Sequence, residues 1–116
     1  MTAQDGTDDT PTDAYLSLLA NRYRRAVLLS LIDHGGNDAE PISIEEAVSD
    51  SIPERVEVAL NHNHLPKLAN HEVIRWNRDE GSVAPGPAFE EIEPFLEALD
   101  NVRTKLPNDW RPDLDD

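Results

Sequence analysis

The stretch Pro53–Ile74, PERVEVALNHNHLPKLANHEVI, decides the reading of this chain. Val56, Leu60, Leu65 and Leu68 recur at spacings that one side of a helix collects, and Pro53 suits its first position, where the missing N–H would have no partner anyway. Pro66 interrupts the pattern. It cannot bond the carbonyl of His62 and would strain a straight helix by about 3 kcal/mol, so a kink or break is expected after His64. The face turned away from Val58, Leu65 and Leu68 carries Arg55, Ala59, His62, Asn63 and Pro66. The helix should end near Asn70; Val73–Trp76 and Ser82–Ala84 then read as two strands around an Asn77–Gly81 turn, which puts Arg75 and Arg78 on a hairpin. A short helix followed by a hairpin, both bearing cations and Asn or His side chains, has the chemistry to read a DNA groove.

Charge singles out the same stretch. No Lys or Arg occurs between Arg25 and Arg55, whereas from Arg55 to Arg78 the cations Arg55, Lys67, Arg75 and Arg78 face only Glu57 and Glu72, in a chain of formal net charge -14. Such acidity fits a partner-seeking surface, a disordered composition, or adaptation to concentrated salt. The third is favoured: acids are spread over every segment, lysine is confined to Lys67 and Lys105 against eight arginines, and 38% hydrophobic residues still supply a core. At about 1 M salt the screening length is roughly 3 Å, so long-range repulsion from a nucleic-acid backbone is nearly abolished. Counterion release weakens under the same conditions, and binding would rest on short-range contacts.

Outward from this stretch, Asp13–Leu19 can form a short helix with Leu16 and Leu19 inward, capped by Thr12 or Asp13. Asn21 caps a second helix to about His34, with Val27, Leu28, Leu31 and Ile32 at helical spacing and Gly35-Gly36 as its stop. Glu40–Ile42 can supply a short strand, and Ser43 with Glu46 is a capping-box pair opening a helix to about Ser49. Ala88–Leu99 is amphipathic, its regular part starting as late as Pro94. The order is that of a winged helix-turn-helix: an α+β, mostly α, fold with a three-helix core, a two-stranded β-hairpin wing and a C-terminal helix. At 116 residues the chain has room for one core, spanning residues 12–101, between a disordered acidic tail at 1–11 and a flexible acidic tail at 102–116 from which Trp110 and Leu114 could fold back. The apolar runs are too short for a bilayer, no secretory signal is evident, and the absence of cysteine excludes disulfides and thiolate metal sites, so a cytoplasmic location is expected.

Three phrases also carry a family resemblance: LLANRYRRAVLLSLIDHGG (Leu18–Gly36), SIEE (Ser43–Glu46) and HNHLPKLANHEVI (His62–Ile74). Over about residues 13–100 the chain resembles the winged-helix domains abundant in haloarchaea, most of unassigned function and distantly similar to arsenical-repressor-type transcriptional regulators. Those domains usually have a glycine where Glu72 stands, a small residue in place of His71 and often an aromatic in place of Asn61. The resemblance implies a DNA-binding transcriptional regulator; a winged-helix module that binds another protein without touching DNA is the alternative, since fold does not settle function.

On the DNA reading, the candidate contacts are Arg55, His62, Asn63 and Lys67 on the helix and Arg75 and Arg78 on the hairpin: Asn pairs with adenine, Arg with guanine or phosphate, and His donates to phosphate. Trp76 is expected to pack inward in preference to lying in a minor groove. Arg22, Arg24 and Arg25 sit where a helix dipole prefers anions, so partners are expected for them, carboxylates such as Asp13 or Glu97 ahead of phosphate. His62 and His64, two apart on a helix, cannot chelate together, and no zinc, cofactor or catalytic motif is legible, so neither metal, cofactor nor enzyme activity is expected. Phe89, Ile92, Leu96 and Leu99 form an apolar seam expected to pair two copies as a homodimer.

Overall fold

The computed structural model describes residues 11–48 and 53–107. In chain order it contains α1 (Pro11–Leu18), α2 (Arg22–Asp33), β1 (Ile42–Ser43), α3 (Ile44–Val48), α4 (Glu54–Ala59), α5 (Leu65–Asn70), β2 (Ile74–Asn77), β3 (Ser82–Pro85) and α6 (Phe89–Asn101). The result is a mostly helical α+β fold with a small three-stranded antiparallel sheet in the order β1-β3-β2. No helix among the described residues is long and apolar enough to cross a membrane. The stretches around Ser49, Trp110 and Leu114 lie outside the described residues.

The caps form as the sequence dictates. Asn21 takes extended φ and ψ, and its side-chain carbonyl accepts from the N–H of Tyr23 at 2.8 Å and of Arg24 at 3.2 Å. At α3 the capping box is reciprocal: Glu46 N–H donates to Ser43 Oγ at 3.1 Å and Ser43 N–H to Glu46 Oε1 at 3.3 Å. The sheet pairs Trp76 with Val83 and Val83 with Ile42, a row whose side chains all pack on the core, while Arg75, next along β2, is exposed.

Leu28, Leu31, Val48, Leu60, Leu65, Leu68, Phe89, Ile92 and Leu96 are fully buried, and α2 packs against both α3 and α6. Each such side chain contributes about 1.5–3 kcal/mol by leaving water. Tyr15 ties α1 to α6: its hydroxyl donates to Glu91 Oε1 at 2.5 Å, and that bond, with burial, pushes the phenol up to about 12.

Three sequence expectations need correction. Leu16 is 53% exposed, because the inward stripe of α1 is Tyr15, Leu18 and Leu19 and residue 16 falls a quarter-turn away. Residues 102–107, read as tail, continue α6 into a tight turn at Arg103–Lys105, with Leu106 against the core. The seam meant to pair two copies is mostly buried inside one: Phe89, Ile92 and Leu96 are 0% exposed beneath the chain's own helices, leaving only Leu99 at the surface. The apolar surface that survives is a groove of about 690 Å³ between α1 and the end of α6, lined by Leu16, Leu19, Phe95, Leu99, Val102 and Leu106.

The arginines at the start of α2 serve the corner between α1 and α2. Arg24, only 8% exposed, donates from Nε to Leu18 O at 2.8 Å and from Nη2 to Ser17 O at 3.1 Å; Arg25 Nη1 donates to Leu19 O at 2.7 Å. Those carbonyls end α1, where cations are favoured, so the guanidiniums unfavourable to one helix start satisfy the neighbouring helix end.

Candidate nucleic-acid interface

The proline anomaly is resolved by a wider turn instead of a break. Between α4 and α5 the residues Leu60–His64 form a π-helical turn, in which Leu65 N–H reaches back five residues to Leu60 O. Pro66 then occupies the first turn of α5, where no N–H is needed. The inserted residue also explains the spacing Leu60 to Leu65: in an unbroken α-helix the fifth residue leaves the core side, whereas the wide turn buries Leu60, His64 and Leu65 together.

This rearrangement shifts the outward face. Arg55, His62 and Asn63 are exposed as expected, Lys67 is half-buried, and Ala59 and Pro66 are half-buried at the margin. Val58, assigned to the inner side by sequence, is 50% exposed; Val56 and Leu60 hold the core position, and Val58 rises between Arg55 and His62 along the outer stripe. Glu54 and Glu57 share α4 with Arg55, so the helix surface alternates in charge.

His64 takes the opposite direction from His62. Its ring is 8% exposed, and Nδ1 lies 2.9 Å from Arg24 Nη1. A guanidinium has no acceptor, so Nδ1 accepts and the imidazole is neutral with its proton on Nε2. Burial first, then the charges of Arg24 and Lys67, hold its imidazolium below the ordinary range. The contact joins α2, the end of α1 and the π turn at one buried point.

A helix terminus of the Schellman type leads from α5 to the hairpin: Glu72 N–H donates to Ala69 O at 2.9 Å and Val73 N–H to Leu68 O at 3.3 Å, with Leu68 and Val73 both buried. Glu72 adopts φ 65°, a left-handed conformation that glycine takes without strain. The hairpin is short, and its turn is pinned by Ile44 N–H donating to Gly81 O at 3.0 Å. Trp76 is half-buried against the core, and the Arg78 guanidinium lies 4.9 Å from its ring centroid, so packing claims the indole.

The flank of α4 and its π turn faces the hairpin turn across a cleft of about 420 Å³, lined in part by Glu57, Asn61, Arg78, Asp79, Glu80 and Glu45. Arg78 is thus brought beside the helix. Glu45 and Glu57, distant in sequence, join Asp79 and Glu80, which follow Arg78 in the chain, and leave the cleft lined by four carboxylates. Arg55, Arg75 and Arg78 are nonetheless exposed, and none forms an ion pair with a carboxylate among the described residues. Arg103, by comparison, pairs with Asp100 at 3.4 Å, and Arg24 is consumed by carbonyls and His64. His34 and His71 each bond the carbonyl four residues back through Nδ1, and no group of three or more His, Cys, Asp or Glu among the described residues could hold a metal ion.

Sequence reasoning missed Val58 and the Arg24–His64 contact. The five-residue step from Leu60 to Leu65 was the available signal for the first; the second joins residues 40 apart and left none.

No curated protein and no solved structure matches the chain. One family model does, over residues 16–84, a span that opens in α1, closes in β3 and takes in all six candidate contacts. It covers more than half of the sequence, and the chain therefore belongs to the family described as a domain of unknown function, DUF7344.

Proposed function

We propose that this is a winged helix-turn-helix protein of a halophilic archaeon, a cytoplasmic DNA-binding transcriptional regulator that acts as a homodimer. α4 with its π turn would enter the major groove, presenting Arg55, His62 and Asn63, with Lys67 beside them; Arg75 and Arg78 would meet the flanking backbone. The observation that carries the reading is the division of the arginines. Those at the α1–α2 corner and Arg103 are engaged within the chain, while Arg55, Arg75 and Arg78 are exposed with no carboxylate ion partner among the described residues. Cations with no carboxylate partner among the described residues of so acidic a protein are available to an external anion.

The test is a mobility-shift titration with the protein's own upstream DNA across a series of potassium chloride concentrations. The full chain should retain a discrete complex. Arg75→Glu with Arg78→Glu should weaken it and flatten the salt slope by about 0.9 for each phosphate no longer neutralised. A complex unaffected by that double change contradicts the reading.

Pairing two copies needs an apolar surface free of acids, because each copy carries -14. Arg25 is the one charged residue among the described residues lining the α1–α6 groove, and Leu16 and Val102, 53% and 42% exposed, line it as apolar surface that a second copy would cover. Sedimentation should show a dimer that tightens as salt rises, the reverse of the DNA titration, and that Leu16→Glu dissolves; a monomer at every salt concentration refutes it.

The acidic cleft of Glu45, Glu57, Asp79 and Glu80 around Arg78 favours the second reading, a winged-helix module that docks on a protein and never touches DNA. On that reading the chain retains no duplex at any salt.

A further inference from the structure

Resting on the DNA-binding reading above, we infer that Val58 is a base-reading residue that packs on the C5-methyl group of a thymine in the major groove. Val58 is half exposed on a helix whose apolar work is done by Val56 and Leu60, which are buried on the other side. Nothing among the described residues covers its outer half. A β-branched side chain on an outward helical position is mildly unfavourable in itself, because its χ1 freedom is cut against the preceding turn. Its neighbours on the outer stripe, three residues before and four after, are Arg55 and His62, with Glu54 also adjacent one turn earlier. The stripe thus sets one apolar contact among hydrogen-bonding groups.

That pattern matches the edges of base pairs in the major groove. Guanine and adenine present acceptors, adenine and cytosine present amino donors, and thymine alone presents a methyl group. Arg55 and His62 can donate, Glu54 can accept from a cytosine amino group, and Val58 has only shape and apolar surface to offer. A phosphate or a water-filled groove floor gives an isopropyl group nothing; a thymine methyl removes both apolar surfaces from water. On the DNA reading Glu54, unfavourable beside phosphate, would face base edges, which is the depth at which Val58 would also make contact.

The experiment begins by selecting bound duplexes from a randomised library with the full chain at high potassium chloride. Each thymine of the selected site is then replaced singly by deoxyuridine, which lacks only the C5-methyl group. One thymine per half-site should lose about fourfold in affinity, the amount that burial of a single methyl group supports. Val58→Ala, an outward change that leaves the core intact, should lose a similar factor on the thymine duplex and nothing further on the deoxyuridine duplex. Losses that multiply, or a site at which no thymine methyl matters, overturn the inference while leaving DNA binding standing. If the full chain enriches no duplex at all, this inference and the reading beneath it fall together.

Discussion

Replacing Arg24 with methionine is expected to lower the unfolding free energy by about 2 kcal/mol, measured as a shifted urea midpoint at unchanged slope. Methionine keeps much of the aliphatic stem, so packing changes little and the polar groups decide. Ser17 O keeps a donor in Ala20 N–H at 3.1 Å. Leu18 O and His64 Nδ1 lose theirs in a buried setting, at about 1–3 kcal/mol each, and relief from burying a guanidinium offsets part of that sum. Changing His64 to leucine in the same chain removes one of the two orphans, so the double variant should recover part of the loss, a non-additivity of about 1 kcal/mol.

The same pair sets a pH dependence. The folded imidazole titrates below its ordinary 6.5, so between its folded value and 6.5 the unfolded chain binds more protons. Stability is therefore fully present above 6.5 and is lost as pH falls through that window. Arg24→Met removes one of the two cations acting on the ring but not burial, the larger cause, so the slope should shrink without vanishing.

How far the residues alone reveal this architecture depends on how local each determinant is. Asn21 and Ser43 with Glu46 act within three residues of themselves, and the strands 74–77 and 82–85 pair across one short turn, so their geometry follows from local chemistry. The π turn is half legible: Pro66 announces a conflict, but whether the chain breaks or widens depends on Leu60, His64 and Leu65 all finding core space against other elements, which no local rule states. The misplacing of Val58 is a direct consequence, since one added residue in the turn rotates the face before it relative to the face after it. The seam of α6 is legible as apolar but not as covered, because how much of Phe89, Ile92 and Leu96 reaches the surface depends on how other elements, α2 among them, pack on that helix. Among the candidate contacts the exposure of Arg55, His62, Asn63, Arg75 and Arg78 follows the periodicity, and Asp79 and Glu80 stand beside Arg78 in sequence, while Glu45 of α3 and Glu57 of α4 join them only in three dimensions.

Gly86→Ala should be the most damaging addition of one carbon, costing about 3 kcal/mol, with a melting temperature lower by more than about 12 °C. A β-carbon at that position would overlap Glu72 O and stand 2.9 Å from both Glu72 C and Ile74 C. All three are backbone atoms, so no side chain can swing aside. Retreat of the backbone would cost the bonds that close the base of the hairpin, Gly86 N–H to Val73 O at 3.1 Å and Ala88 N–H to Glu72 O at 2.8 Å. Glu72 is already strained at φ 65°, and displacing it also loosens the end of α5 that aims the candidate helix. Gly81→Ala provides the internal comparison. There a β-carbon meets nothing within 4 Å, and only the left-handed φ of 65° is penalised, at roughly 1 kcal/mol. If the two variants unfold at the same urea concentration, the close approach of Gly86 to the strand opposite is not what holds the hairpin to α5. If Gly86→Ala alone collapses, the glycine is required by contact and not by its dihedral angles, because its φ lies outside the left-handed region.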